Sequence, residues 1–128
     1  MITLILKLFI MSHIDHTELV KQFLSALNDD DFTLAKNFAA DDMQFIGVLG
    51  SRDGANAYFA DMEHIRLKYD IIKTFTGDDD VCVWYNIAMP GGTNVLSSGW
   101  YAIQNGKIQT IKVLFDPRPV LDAGKKSL

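Results

Sequence analysis

Few side chains in this chain could carry acid–base chemistry, and they are scattered. Asp116 ends an apolar run and opens the stretch Asp116-Pro117-Arg118-Pro119. Turned into an apolar pocket, its carboxyl would lose hydration, its pKa would rise, and it would serve as a base near neutral pH. Turned outward, it would cap the strand end or pair with Arg118. His64 follows the stripe Tyr58, Phe59 and Met62. It could reach the edge of a buried helix face, where imidazole suits proton transfer, or stand partly exposed at the helix end. Asp61, beside Met62, is expected to be solvated. Tyr58, Tyr85 and Tyr101 could offer hydroxyls to a ligand. His13 and His16 have no metal-ligand spacing and read as surface residues. Cys82 is the single cysteine, set in Val81-Cys82-Val83-Trp84, and reads as a small buried hydrophobe. No metal site and no cofactor is expected.

The elements that must position these residues are legible in the periodicity. Asp15-His16-Thr17-Glu18 has the form of a capping box, and Leu19, Val20, Phe23, Leu24 and Leu27 follow at helical spacing. This predicts a helix over about 16–28. Asp31 is placed to cap a short second helix with Leu34, Ala35, Phe38 and Ala39 as its stripe. Met43 to Leu49 reads as a strand, and Gly50 to Gly54 as a loop with Asp53 as a helix cap. Ala55, Tyr58, Phe59, Met62 and Ile65 mark a third helix. Strands are then predicted over Lys68–Phe75, Val81–Met89, Val95–Gln104 and Lys107–Phe115. Asn105-Gly106 is the strongest hairpin signal, because a two-residue turn there needs positive φ twice. The two prolines after Asp116 end the last strand. Helices followed by a strand meander give an α+β order.

The 128 residues are enough for one domain, and 48% hydrophobic content argues against disorder. The net charge is −4, and no basic cluster exceeds Lys125-Lys126, which argues against a nucleic-acid partner. The lone cysteine fits a cytoplasmic location. Residues 1–11, MITLILKLFIM, are too short to span a membrane, and no small-residue cleavage site follows them. Met11 is expected to be the natural start; the alternative is an extra element packed on a hydrophobic surface. Residues 1–13 thus read as an extension, 14–121 as the domain, and 122–128 as a tail.

The element order, together with GWYAIQNGKIQTIKVLFDPRPVL, resembles the nuclear-transport-factor-2-like superfamily and, within it, the SnoaL-like proteins. The most specific parts are Phe38-Ala39-Ala40-Asp41-Asp42, Trp100-Tyr101 before NGKI, and FDPRP. The resemblance implies a cone-shaped, curved antiparallel or mixed sheet wrapped around three N-terminal helices. The superfamily spans isomerases, hydrolases, cyclases, dehydratases and binding members, so fold does not select an activity. Aligned on the steroid-isomerase pattern, the three polar positions fall at Phe23, Gly47 and Gly99, and that chemistry lacks its base and donors. The epoxide-hydrolase aspartate falls at Val113, and no Arg-x-Asp stands on the third late strand.

Alternation puts Ser97, Gly99, Tyr101 and Ile103 on one face of that strand, which the resemblance implies is the concave one. Ile111, Val113 and Phe115 match them on the last strand. With Phe23, Gly47, Tyr58, Phe59 and Met62, these describe an apolar small-molecule pocket, or equally an ordinary core. Asp116, Tyr101 and His64 are the candidate acid–base residues of a cofactor-independent isomerase, hydrolase or lyase acting on a small apolar, oxygen-bearing molecule. The alternatives are a binding module without chemistry and a dimeric interaction protein. The opposite sheet face carries Leu96, Trp100, Ala102 and Leu114, which predicts a homodimer through the convex face with Trp100 as an anchor.

Overall fold

The computed structural model describes residues 16–126. The readings placed on residues 1–15, the Asp15 cap among them, lie outside the described residues. Helix α1 (16–28) buries Val20, Phe23, Leu24 and Leu27, the face that the spacing predicts. At its end the Asn28 side chain donates to Tyr69 O (2.8 Å) and accepts from Tyr69 N (2.6 Å), clipping the helix to a strand.

Helix α2 (Phe32–Asn37) is capped as expected: Asp31 Oδ1 accepts from Leu34 N at 3.1 Å. It is shorter than its apolar stripe suggests. Phe38 is the C-cap and Ala39 already belongs to strand β1 (Ala39–Gly47). Ile108 N donates to Phe38 O at 2.8 Å, so a tertiary partner captures backbone that helical propensity alone would keep in the helix.

The predicted loop after β1 is a short strand, β2 (Gly50–Asp53), paired antiparallel with β1 across Val48-Leu49. Gly54, not Asp53, is the N-cap of helix α3 (Ala55–Ile65), at φ 90°. A side chain would be strained in that conformation, and the Gly54 N–H reaches Met43 O at 2.7 Å. Helix α3 buries Ala55, Tyr58, Phe59 and Met62, and packs on β1 and β2.

Four long strands complete the sheet: β3 (Lys68–Thr76), β4 (Asp80–Ala88), β5 (Asn94–Gln104) and β6 (Lys107–Phe115). The order is β2-β1-β6-β5-β4-β3. Neighbours are antiparallel except β1 and β6, which run parallel, so the curved sheet is mixed. Asn105 (φ 53°) and Gly106 (φ 72°) make the expected tight turn between β5 and β6.

Alternation sorts the two faces. Val81, Val83, Tyr85 and Ile87 on β4, and Val95, Ser97, Gly99, Tyr101 and Ile103 on β5, point into the buried side. The other face leaves Leu114 67% exposed, Leu96 58% and Trp84 50%.

Helix α4 (Arg118–Lys126) follows β6 directly. Arg118 N donates to Asp116 Oδ1 at 3.0 Å, and the amides of Val120 and Leu121 donate to Pro117 O. The same Asp-Pro-Arg-Pro that stops a strand therefore also starts a helix, since proline is at home in a first turn.

Candidate functional site

A cavity of about 580 Å³ opens at one end of the hollow side of the sheet. Helix α3 supplies one wall through Tyr58, Asp61, Met62 and Ile65, the i, i+3, i+4 and i+7 positions of a single helical face. Strand β1 and its turn supply Phe45, Gly47, Val48 and Leu49. The turn between β4 and β5 contributes Met89, Pro90, Gly91 and Thr93, the end of β6 contributes Phe115, and α4 contributes Val120. A Cβ on Gly47 would stand 3.0 Å from the Phe45 ring, so the absence of a side chain lets that ring lie across the wall.

Four of the expected pocket residues line this space: Gly47, Tyr58, Met62 and Phe115. The other six, Phe23, Phe59, Ser97, Gly99, Ile111 and Val113, are buried beside it in the core. The four strand residues among them lie on the buried face, but the space around them is filled.

None of the three candidate acid–base residues is on the cavity wall. Asp116 is exposed and held by Arg118, with Nε donating at 3.0 Å to each carboxylate oxygen and Nη2 at 2.6 Å to Oδ2. These hydrogen bonds lower its pKa to about 2, the opposite of what a neutral-pH base requires. This corrects the pocket-facing reading: the paired guanidinium keeps the carboxylate in solvent. His64 is exposed near the end of α3 and is not among the residues that line the cavity. Tyr101 is buried, but its hydroxyl is 2.8 Å from the Tyr85 hydroxyl and away from the cavity.

All four tyrosines of the chain gather in the interior. The Tyr85 and Tyr101 hydroxyls share a hydrogen bond, the Tyr69 hydroxyl donates to Met62 Sδ at 3.9 Å, and the Tyr69 and Tyr85 rings lie 5.3 Å apart. Burial raises the pKa of every one of them. They are therefore neutral hydrogen-bonding groups at physiological pH, with Tyr58 alone reaching the cavity wall at the inner end.

The ionisable residue on the cavity wall is Asp61. Its Oδ2 forms an ion pair with Arg52 Nε at 2.7 Å, and Arg52 Nη1 donates to Ser51 O at 2.9 Å. The Asp61 side chain is 38% exposed, so the pair sits at the rim, not in the depth. Spacing with Tyr58, Met62 and Ile65 could have placed Asp61 on the lining face. Arg52 had no such signal, because the residues around it read as a loop. Among the described residues no three or more His, Cys, Asp or Glu side chains come together as a metal site, and no helix is long and apolar enough to cross a membrane.

Comparisons with known proteins agree with this architecture. A SnoaL-like domain matches residues 20–111. An NTF2-like protein of unknown function from Cytophaga hutchinsonii is 38% identical, with TM-score 0.81, covering 83% of this chain and 94% of that one. An LEH-like epoxide hydrolase from M. tuberculosis superposes with TM-score 0.80 at 16% identity, over 90% of this chain and 92% of that one. A candidate polyketide cyclase from Xanthomonas campestris gives TM-score 0.76 at 15% identity, over 87% and 97%. The last two likenesses concern the fold alone. No curated protein matches the chain. With its helices, mixed sheet and hollow end all accounted for, the chain belongs to the SnoaL-like domain family, on the NTF2-like fold.

Proposed function

We propose that this protein binds a small apolar, oxygen-bearing molecule in the cavity between α3 and the open end of the sheet. The observation that carries the reading is the hollow itself. Its volume of about 580 Å³ is within the range of small-molecule sites, and its walls are aliphatic and aromatic with a few polar groups. A core of ordinary packing density would have filled that space. A ligand that binds only the folded state raises stability by mass action. Small cyclic alcohols and ketones at millimolar concentration are therefore expected to raise the melting temperature. A melting temperature unmoved by every member of such a set would overturn the reading.

A second reading adds acid–base turnover without a cofactor. It is supported by the carboxylate on the wall and by the hydrolase and cyclase names among the fold's neighbours. In this reading Asp61 moves the proton, and the Tyr58 hydroxyl donates to a substrate oxygen. Product formation that survives Asp61→Asn would remove Asp61 from the reaction.

The outer face of the sheet supports a homodimer. Leu114, Leu96, Phe75 and Trp84 are exposed apolar members of it. Trp100 is half-buried: its Nε1 donates to Asp80 at 2.9 Å, and Lys112 Nζ stands 5.5 Å over its ring. The centre of the contact is thus better sought at Leu114 than at Trp100. Light scattering should give a dimer mass for the wild type and a monomer mass for Leu114→Glu. A reducing, cytoplasmic setting, supported by the single cysteine, belongs to the same reading.

A further inference from the structure

The rim pair narrows the ligand class. We propose that Asp61, held by Arg52, is the specificity-determining anchor of the cavity, and that it selects an uncharged apolar molecule carrying a hydroxyl donor. The proposal rests on the reading of the cavity as a ligand site.

The argument begins with what each oxygen of Asp61 is doing. Oδ2 is ion-paired with Arg52 Nε at 2.7 Å, and among the described residues Oδ1 has no hydrogen-bond partner. The carboxylate is thus fixed by one oxygen and left as an acceptor at the other. An acceptor on the wall asks for a donor on the ligand.

The charge of that donor follows from the pair. Arg52 already neutralises Asp61, and the remaining lining is apolar apart from Tyr58, Thr93 and turn backbone. An ammonium would bring a cation with no uncompensated anion to meet it, and a carboxylate would face Asp61 itself. Either would give up its hydration for little return. An alcohol gives up less and gains a charge-assisted hydrogen bond. Arg52 is itself off the cavity wall, which leaves it as a positioning residue acting through Asp61. Phe45, Tyr58 and Phe115 present rings to the ligand body, and an aromatic probe suits them.

The test uses four fluorescent probes of one shape: naphthylethanol, its methyl ether, naphthylacetate and naphthylethylammonium. Affinities are read from the naphthalene emission with the wild type, Asp61→Ala and Arg52→Gln. The alcohol should bind the wild type roughly tenfold tighter than the ether, which cannot donate. Asp61→Ala should reduce the alcohol to the affinity of the ether while leaving the ether unchanged, which also shows that the variant folds. Arg52→Gln leaves Asp61 without its counter-charge, so the ammonium should gain on the alcohol. Equal binding of alcohol and ether, or an alcohol preference that survives Asp61→Ala, overturns the proposal and leaves the cavity reading intact. Best binding by naphthylacetate overturns it in favour of Arg52 as the recognising group. No binding of any of the four probes overturns the cavity reading and the proposal with it.

Discussion

At the end of the sheet where β5 turns into β6, Ile103 and Ile108 are buried, and Phe23 of α1 meets Tyr101 edge-on at 6.3 Å. At the other end Phe115, Gly47 and Met89 surround open space. The same strands and the same alternation run through both. The difference lies in what covers them. Side chains of α1 fill the closed end, whereas two glycine-bearing turns, at Gly47–Gly50 and at Pro90–Gly92, rim the open one. Tyr58 is the partition. Its ring stacks toward Phe23 at 6.5 Å on one side and meets Phe45 at 5.3 Å on the other. A hollow in this fold is thus a property of its cover and not of the sheet.

The contrast can be broken most severely at Gly99. A Cβ there would lie 2.1 Å from the Tyr85 hydroxyl oxygen and 2.9 Å from a Tyr101 ring carbon. The closed end has no slack, so Gly99→Ala should cost about 1–3 kcal/mol in chemical denaturation. Adding Tyr85→Phe removes the nearest clashing atom and should recover part of the loss. A neutral Gly99→Ala would mean that the closed end is looser than its packing indicates.

The tyrosines give a pH test of intermediate size. All four have pKa values raised by burial in the folded state, whereas phenols in the unfolded chain ionise near about 10. Their stabilising contribution is complete below that pH. It is lost as pH rises above it toward the raised folded values, because the unfolded state then releases protons that the native state keeps. Phenolate absorbance should therefore rise together with loss of far-ultraviolet ellipticity. Early, separate ionisation of one tyrosine would show that water from the open end reaches it, with Tyr58 the first to suspect.

The smallest stability change is expected at the open end. Met62→Trp adds volume toward the cavity and should alter stability by about 1 kcal/mol at most. It should nevertheless abolish ligand-dependent thermal stabilisation. A large destabilisation would show that the space is not available.

Most of the sheet and both long helices were legible because one side of each is buried and the other is not. Periodicity then reports the boundary directly, as it does for Val20, Phe23, Leu24 and Leu27, and along β4 and β5. The tight Asn105-Gly106 turn was legible for a local steric reason. What was missed depended on partners outside the segment itself. Ala39 leaves a helical stripe because β6 pairs with it, Arg52 lies in a strand only because β1 runs beside it, and a helix begins at Arg118 because Asp116 and Pro117 hold its first turn. The candidate site suffered from the same limit. Alternation identified the inner face of β5 and β6, yet Ser97, Gly99, Ile111 and Val113 are core, while Phe115 on the same face lines the cavity. Which end is roofed depends on turns and helix lengths that no local pattern carries. Asp61 could have been found from its helical spacing, and of the two readings open for Asp116 it is the outward one, paired with Arg118, that the structure has.

The parallel pairing of β1 with β6 has a bearing on how the molecule comes together. Phe45 lies beside Ile111, its partner 66 residues further along the chain. The β1–β2 ribbon can close on itself early, but its other border stays bare until the final strand arrives. Joining such distant segments carries a chain-closure penalty that local contacts do not offset, and it slows folding. The part synthesised early is thus docked late, and until then its unpaired edge is the most exposed point for mispairing between chains.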